Sequence, residues 1–165
     1  MLPSPFKTSD TKGEYKITKT LTEEDIFKMA NYLVKKRLRK GRLVSSPQEC
    51  ANYLKTQLQQ YEREVFGAIF LDQKHRIISQ EILFYGTINQ ASVYPREIVK
   101  SSLKQNAAAV ILFHNHPSGC TEPSFSDDQL TQHIKKTLDL IEVRVLDHLI
   151  LGANGHFSYA KATKL

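Results

Sequence analysis

The sequence predicts an α/β domain in which a mixed β-sheet is flanked by helices. Three observations carry this. Apolar residues recur at helical spacing in several segments, and runs rich in Val, Ile and Phe alternate with them. One near-continuous apolar run, AAAVILFHNH, has the composition of a central strand covered on both faces. The chain has 165 residues, 41% of them hydrophobic and 24% charged, which is enough for one core in one folded domain preceded by an extension.

Residues 1 to 20 mix Pro, Gly, Thr and Lys without apolar periodicity and read as a flexible or loosely docked arm. Residues 21 to 44 read as a basic helix and its exit. Thr22 and Asp25 make a rough N-terminal cap, and Ile26, Met29, Ala30, Leu33, Val34 and Leu38 follow at helical spacing until Gly41 stops the pattern. A second helix starts where Ser46 caps, Pro47 takes the first helical position and Glu49 closes the box, and it runs to about residue 59. EVFGAIFLD and RIISQEILFYG, parted by the polar turn DQKH, predict a hairpin. YPREIVKSSLKQN opens a short helix at Pro95, and the run AAAVILFHNH follows. SFSDDQLTQHIKKTLDLI carries Leu130, Ile134, Leu138 and Ile141 on one helical face, and VRVLDHLILG and HFSYA, joined by ANG, give two last strands. The order ααββαβαββ has no internal repeat.

Composition excludes several classes. No run approaches the ~18 to 20 apolar residues of a membrane span, and the first residues lack a signal-peptide core, so a cytoplasmic location is expected. Cys50 and Cys120 are too few for a disulfide framework and are expected to remain thiols. The net charge of +6 owes much to KKRLRKGR, in which Lys35, Lys36, Arg37, Arg39, Lys40 and Arg42 form a candidate nucleic-acid contact. Cations at a helix C-terminus also favour the macrodipole, so a solvated capping face explains the same residues.

Chemistry concentrates in HNHPSGCTEPSFSDD. On a strand, residues i and i+2 share a face, so His114 and His116 aim their imidazoles the same way from the strand end. Zinc accepts imidazole nitrogen at ~2.0 to 2.1 Å, and a catalytic site takes three protein ligands and leaves the fourth position open. Asp127 can supply the third ligand from a helix that Ser124 caps, and the PSG turn returns that helix towards the histidines. The plainer reading is an S-x-x-D capping box beside two histidines bonded to backbone carbonyls.

The pattern H-x-H, seven residues, S, two residues, D, met by His114, His116, Ser124 and Asp127, resembles the JAMM/MPN+ metalloprotease family. The wording GTINQASVYPREIVKSSLKQNAAAVILFHNHPSG and LDHLILG is similar to its RadC-like branch, over about residues 45 to 165. The resemblance implies a cytidine-deaminase-like JAB/MPN fold and one Zn2+ per chain held by His114, His116 and Asp127. It also implies an upstream glutamate that hydrogen-bonds the zinc water, at the position of Glu64 in REVFGAIFLD. The residues alone leave Glu62, Glu81 and Glu97 as rivals, at a helix end, within a strand and in a helix's first turn.

The activity so implied is hydrolysis of a peptide or isopeptide bond in an unknown protein or peptide substrate. Glu64 is the expected base and Ser124 the expected donor to the developing oxyanion. Asp147 and His148 are candidates to orient a metal ligand from behind, although a strand histidine satisfied in the core explains His148 equally. A deaminase is set aside because H-x-E and P-C-x-x-C are missing. An HNH nuclease is set aside because its residues spread through a ββα unit. The competing reading is a DNA-associated binding module, in DNA repair or on a mobile element, that keeps zinc but hydrolyses little or nothing. Full-length RadC-like proteins carry a helix-hairpin-helix region, and residues 1 to 45 show no G-x-G hairpin, so DNA contact rests on the basic helix alone. The sheet edge is a further surface on which a second copy can pair.

Overall fold

The computed structural model describes residues 2–11, 13–37, 41, 43–44, 46–58, 61–86, 93–153 and 155–165. They fall into two compact units, Met1–Arg39 and Lys40–Leu165.

In the first unit β1 (Phe6–Thr8) and β2 (Tyr15–Ile17) pair antiparallel, with Phe6 opposite Ile17. Strands of three residues are too short to display alternation, which is why the sequence reads there as an arm without regular structure. Helix α1 (Glu23–Arg37) opens on a full capping box: the Asp25 N–H donates to Thr22 Oγ1 at 3.2 Å, and the Thr22 N–H donates to Asp25 Oδ2 at 3.1 Å. Lys35, Lys36 and Arg37 end α1, but their side chains lie outside the description, and Arg39, Lys40 and Arg42 lie outside the described residues.

The second unit holds α2 (Pro47–Leu58), β3 (Val65–Leu71), β4 (Ile77–Tyr85), α3 (Pro95–Lys104), β5 (Ala109–Asn115), α4 (Phe125–Asp139), β6 (Arg144–Gly152) and β7 (Gly155–Ser158). The starts follow the expected chemistry. The Glu49 N–H donates to Ser46 Oγ at 3.2 Å at the head of α2, and Pro95 opens α3. The β3–β4 turn closes on Asp72, whose Oδ1 accepts from the Lys74 and Arg76 N–H groups at 2.8 Å each.

The five strands order β4-β3-β5-β6-β7, with β5 and β6 parallel and the other pairs antiparallel. This is the mixed sheet the sequence predicts, and β5 is central and buried along its whole length. Parity divides its faces. Phe66, Ala68 and Phe70 of β3 and Val110 and Leu112 of β5 join Ile98 of α3 and Ile134 and Leu138 of α4 in one apolar cluster. Helix α2 packs against β6 and buries Cys50, Ala51, Leu54 and Leu58. Truncating a fully buried leucine such as Leu54 to alanine costs on the order of 2–5 kcal/mol. Among the described residues no helix is long and apolar enough to cross a membrane.

Candidate metal centre

His114 lies in the last turn of the β5 pleat and His116 just beyond the strand, where its N–H still donates to Leu151 O of β6 at 2.9 Å. The extended path therefore survives to residue 116 and keeps both rings on one side. The chain then reverses: the Gly119 N–H donates to His116 O at 2.9 Å, and Gly119 takes φ +84°, a value that favours glycine. The turn is pressed against the end of β6, since a Cβ on Gly152 would stand 2.3 Å from Gly119 O. Ser124 then caps α4. Its Oγ accepts from the Asp127 N–H at 3.1 Å, while its N–H and hydroxyl donate to Asp127 Oδ2 at 2.8 and 2.6 Å. The capping box is thus real, and the carboxylate it immobilises is the one aimed at the histidines.

His114 Nε2 and His116 Nε2 stand 2.9 Å apart. Asp127 Oδ1 is 3.4 Å from the first and Oδ2 is 3.6 Å from the second. One ligand atom from each of these residues falls within 4.8 Å of the others. The His116 ring is steadied by Nδ1, which donates to the Cys120 carbonyl at 2.9 Å, so Cys120 acts here through its backbone. His114 stacks on Phe66, with ring centroids 6.0 Å apart and planes at 13°.

These positions perturb every group. Burial pushes His114 down to about 4, against the opposing pull of the Asp127 charge. His116 is raised, first by the Asp127 carboxylate beside it, although burial works the other way. Burial also disfavours the Asp127 charge, but the two histidines and the Ser124 donors outweigh it and hold the carboxyl well below the usual range. Glu64 is half-buried and its carboxyl is raised, first by desolvation and then by the Asp127 charge, with His116 opposing.

Glu64 reaches this neighbourhood through sheet register. Phe66 pairs with His114 across the antiparallel β3 and β5, so two residues back from Phe66 and two residues on from His114 the same register brings Glu64 opposite His116 on the same face. Asn115 completes the joint. Its Oδ1 accepts from the Val65 N–H at 2.8 Å and its Nδ2 donates to Arg63 O at 3.2 Å, gripping the backbone on both sides of Glu64. The rival acids are engaged elsewhere: Glu81 accepts from Gln105 at 2.5 Å, Glu97 pairs with Lys100 at 2.8 Å, and Glu62 is exposed.

Of the two residues expected behind the ligands, the fold brings one. His148 Nε2 lies 2.8 Å from His114 Nδ1. Asp147 points to the other face of β6, where it accepts from Ser158 Oγ at 2.6 Å and from the Ala160 N–H at 3.0 Å, so it fastens the end of β7 and touches no candidate ligand. Asp128 is likewise claimed, by the Tyr159 hydroxyl at 2.8 Å and Lys164 at 3.0 Å. Sequence reasoning missed Asn115 and Thr131. The second lies one turn after Asp127 on α4, and that i, i+4 spacing was its available signal.

The donor set suits zinc. His116 gives its Nδ1 proton to a carbonyl, so the Nε2 of the neutral ring turns a lone pair into the cluster. With that ring neutral, the lone pair, a second imidazole nitrogen 2.9 Å away and an ionised carboxylate form a donor set able to hold a cation among them. Two imidazoles and one carboxylate leave a fourth tetrahedral position open.

A UPF0758 protein of Stutzerimonas stutzeri is 52% identical over 136 residues, which are 82% of this chain and 61% of that protein. A UPF0758 protein of Actinobacillus succinogenes is 58% identical over 109 residues, 66% of this chain and 50% of that protein. One of Haemophilus influenzae (strain Rd) is 46% identical over 145 residues, 88% and 66%. The chain thus spans between half and two thirds of the length of these curated relatives. The RadC-like JAB domain matches residues 44–165, the stretch that carries both Glu64 and the histidine pair, and the chain belongs to that family.

Proposed function

We propose that this chain is a zinc-dependent hydrolase of the JAMM type, which cleaves a peptide or isopeptide bond by a metal-activated water in the cytoplasm. The supporting observation is the convergence of His114, His116 and Asp127 within 4.8 Å, with the half-buried Glu64 brought opposite His116 by the sheet register. His114, His116 and Asp127 would hold a zinc ion, which when bound would supply a water of pKa lowered from about 15.7 to about 7 and a Lewis acid for a carbonyl.

Glu64 is the proton acceptor. Its raised carboxyl lies nearer the pH at which it works, so it takes a proton from the attacking water and returns it to the leaving amine. Asp127 stays ionised throughout, because its donors hold it low. Ser124 is different from the expectation. Its hydroxyl proton is committed to Asp127 at 2.6 Å, so serving an oxyanion requires it to turn from the ligand it supports. Beside His116 a cleft of about 230 Å³, walled by Leu58, Pro117 and Leu151 with Lys55 and Tyr61, offers room for a substrate side chain.

Metal analysis should find about one zinc per chain, lost on changing His114 and His116 to alanine. A peptide-library screen should then show cleavage that Glu64→Gln lowers by roughly 10²- to 10⁴-fold while zinc stays bound. A native protein without metal sinks the reading. Zinc without turnover, together with salt-sensitive DNA binding weakened by changes at Lys35 and Arg37, favours the DNA-associated module instead.

A further inference from the structure

Two fully buried polar side chains behind the cluster take no part in the hydrolysis just described, Thr131 and His148. They form a line of hydrogen bonds. Thr131 Oγ1 lies 2.6 Å from the Asp127 carbonyl and 2.7 Å from His148 Nδ1, and His148 Nε2 lies 2.8 Å from His114 Nδ1.

The protons on this line can be placed. The Asp127 carbonyl accepts only, and Thr131 has a single hydroxyl proton, so that proton goes to the carbonyl. Thr131 Oγ1 must then accept from His148, which puts the His148 proton on Nδ1. A neutral imidazole has one N–H, so His148 Nε2 accepts, and the proton between the rings belongs to His114 Nδ1. His114 Nε2 is left with a lone pair, facing His116 and Asp127. The opposite polarity would set two acceptors 2.6 Å apart with no proton between them.

From this line of contacts we propose that Thr131 and His148 are positioning residues which fix His114 in the Nδ1–H tautomer before any metal arrives. The proposal rests on the reading of His114, His116 and Asp127 as a metal centre. Aromatic packing fixes the ring planes as the hydrogen bonds fix the protons: Tyr159 stacks on His148 with centroids 5.0 Å apart at 14°, and Phe66 stacks on His114. One helix, α4, therefore gives the cluster its carboxylate and also, one turn later, the hydroxyl that sets the tautomer of a ligand on another element.

Long-range nitrogen NMR of histidine-labelled, metal-free protein in mildly alkaline buffer reads the tautomers directly. The expected result is Nδ1–H on both His114 and His148; Nε2–H on His148 overturns the proposal. Zinc affinity, measured by competition with a chromophoric chelator, supplies the second readout. Thr131→Val keeps the shape and removes the hydroxyl, and should weaken zinc about 10- to 100-fold, while Thr131→Ser stays close to the parent protein. Equal zinc affinity in the valine variant and the parent overturns the proposal. A parent protein that binds no zinc refutes the metal centre itself, and the NMR result on that protein still decides the tautomer; it does so too if Thr131→Val fails to fold.

Discussion

Asn115 Oδ1 accepts a hydrogen bond from the N–H of Val65 at 2.8 Å, across a separation of 50 residues. With the second bond to Arg63 O, this one amide joins the strand that carries the histidines to the backbone on either side of Glu64. Asn115→Ala leaves the buried Val65 N–H without a partner and should cost about 1–3 kcal/mol in urea unfolding. The ligands are untouched, so zinc stoichiometry should remain that of the parent. Turnover should fall, because Glu64 is no longer held. A variant as stable and as active as the parent would remove Asn115 from this role.

Ser124→Ala separates the cap from the ligand it holds. Loss of a serine cap costs about 0.5–2 kcal/mol, and here Asp127 also loses its 2.6 Å hydroxyl donor. Both effects point the same way: a lower unfolding midpoint for α4 and weaker zinc, measured by calorimetry and chelator competition. If turnover drops while zinc affinity is unchanged, Ser124 acts on the substrate and not on Asp127.

Acid should destabilise the zinc-free protein early. Burial holds His114 down at about 4 and His148 well below the ordinary histidine value, so the unfolded chain binds more protons than the fold between about pH 6.5 and that range. Stability therefore falls as pH falls through this window. His116 and Glu64 oppose the trend, since their raised pKa values favour the folded state in acid, while His156, lowered by burial, adds to it; the balance goes with His114 and His148 because they are the fully buried groups. Urea midpoints at about pH 7 and about pH 5 test the balance, and a higher midpoint at the lower pH would refute it. Protons on His116 also compete with metal, so zinc affinity should decline over the same range.

Gly152→Ala tests the turn from outside the cluster. The new Cβ would stand 2.3 Å from Gly119 O and 2.7 Å from Thr121 Cγ2, so the turn must move. Overpacking of this kind costs about 1–3 kcal/mol, and because the displaced turn carries the Cys120 carbonyl that holds His116, zinc should weaken as well. Normal zinc affinity in a folded Gly152→Ala protein would show that the His116 ring does not depend on the turn.

The parts of the site that were legible in the sequence are those written in local geometry. His114 and His116 follow from strand parity, and Ser124 and Asp127 from a capping box whose members lie three residues apart. Glu64 needed the family pattern, because its approach to His116 depends on a register between strands far apart in the chain. Asn115 and Thr131 gave no signal by type: an amide inside H-x-H and a threonine on a helix are ordinary until other elements supply their partners. His148 was legible only as one of two adjacent candidates, and the face of β6 chose it over Asp147. The short pairing of β1 with β2 was lost because three residues carry no period.

The antiparallel ladder from Phe66↔His114 to Leu71↔Ala109 has a consequence for how this chain can be altered. The acid and the histidines are in place because two strands lie side by side, whatever the path that joins them. The segment between β3 and β5 also carries β4, paired along β3, and the buried Ile98 of α3, so it is only the turns joining these elements that are replaceable. Loops there can lengthen, accept a foreign module or be cut and re-tied elsewhere, and the chemistry should survive so long as both strands still find each other.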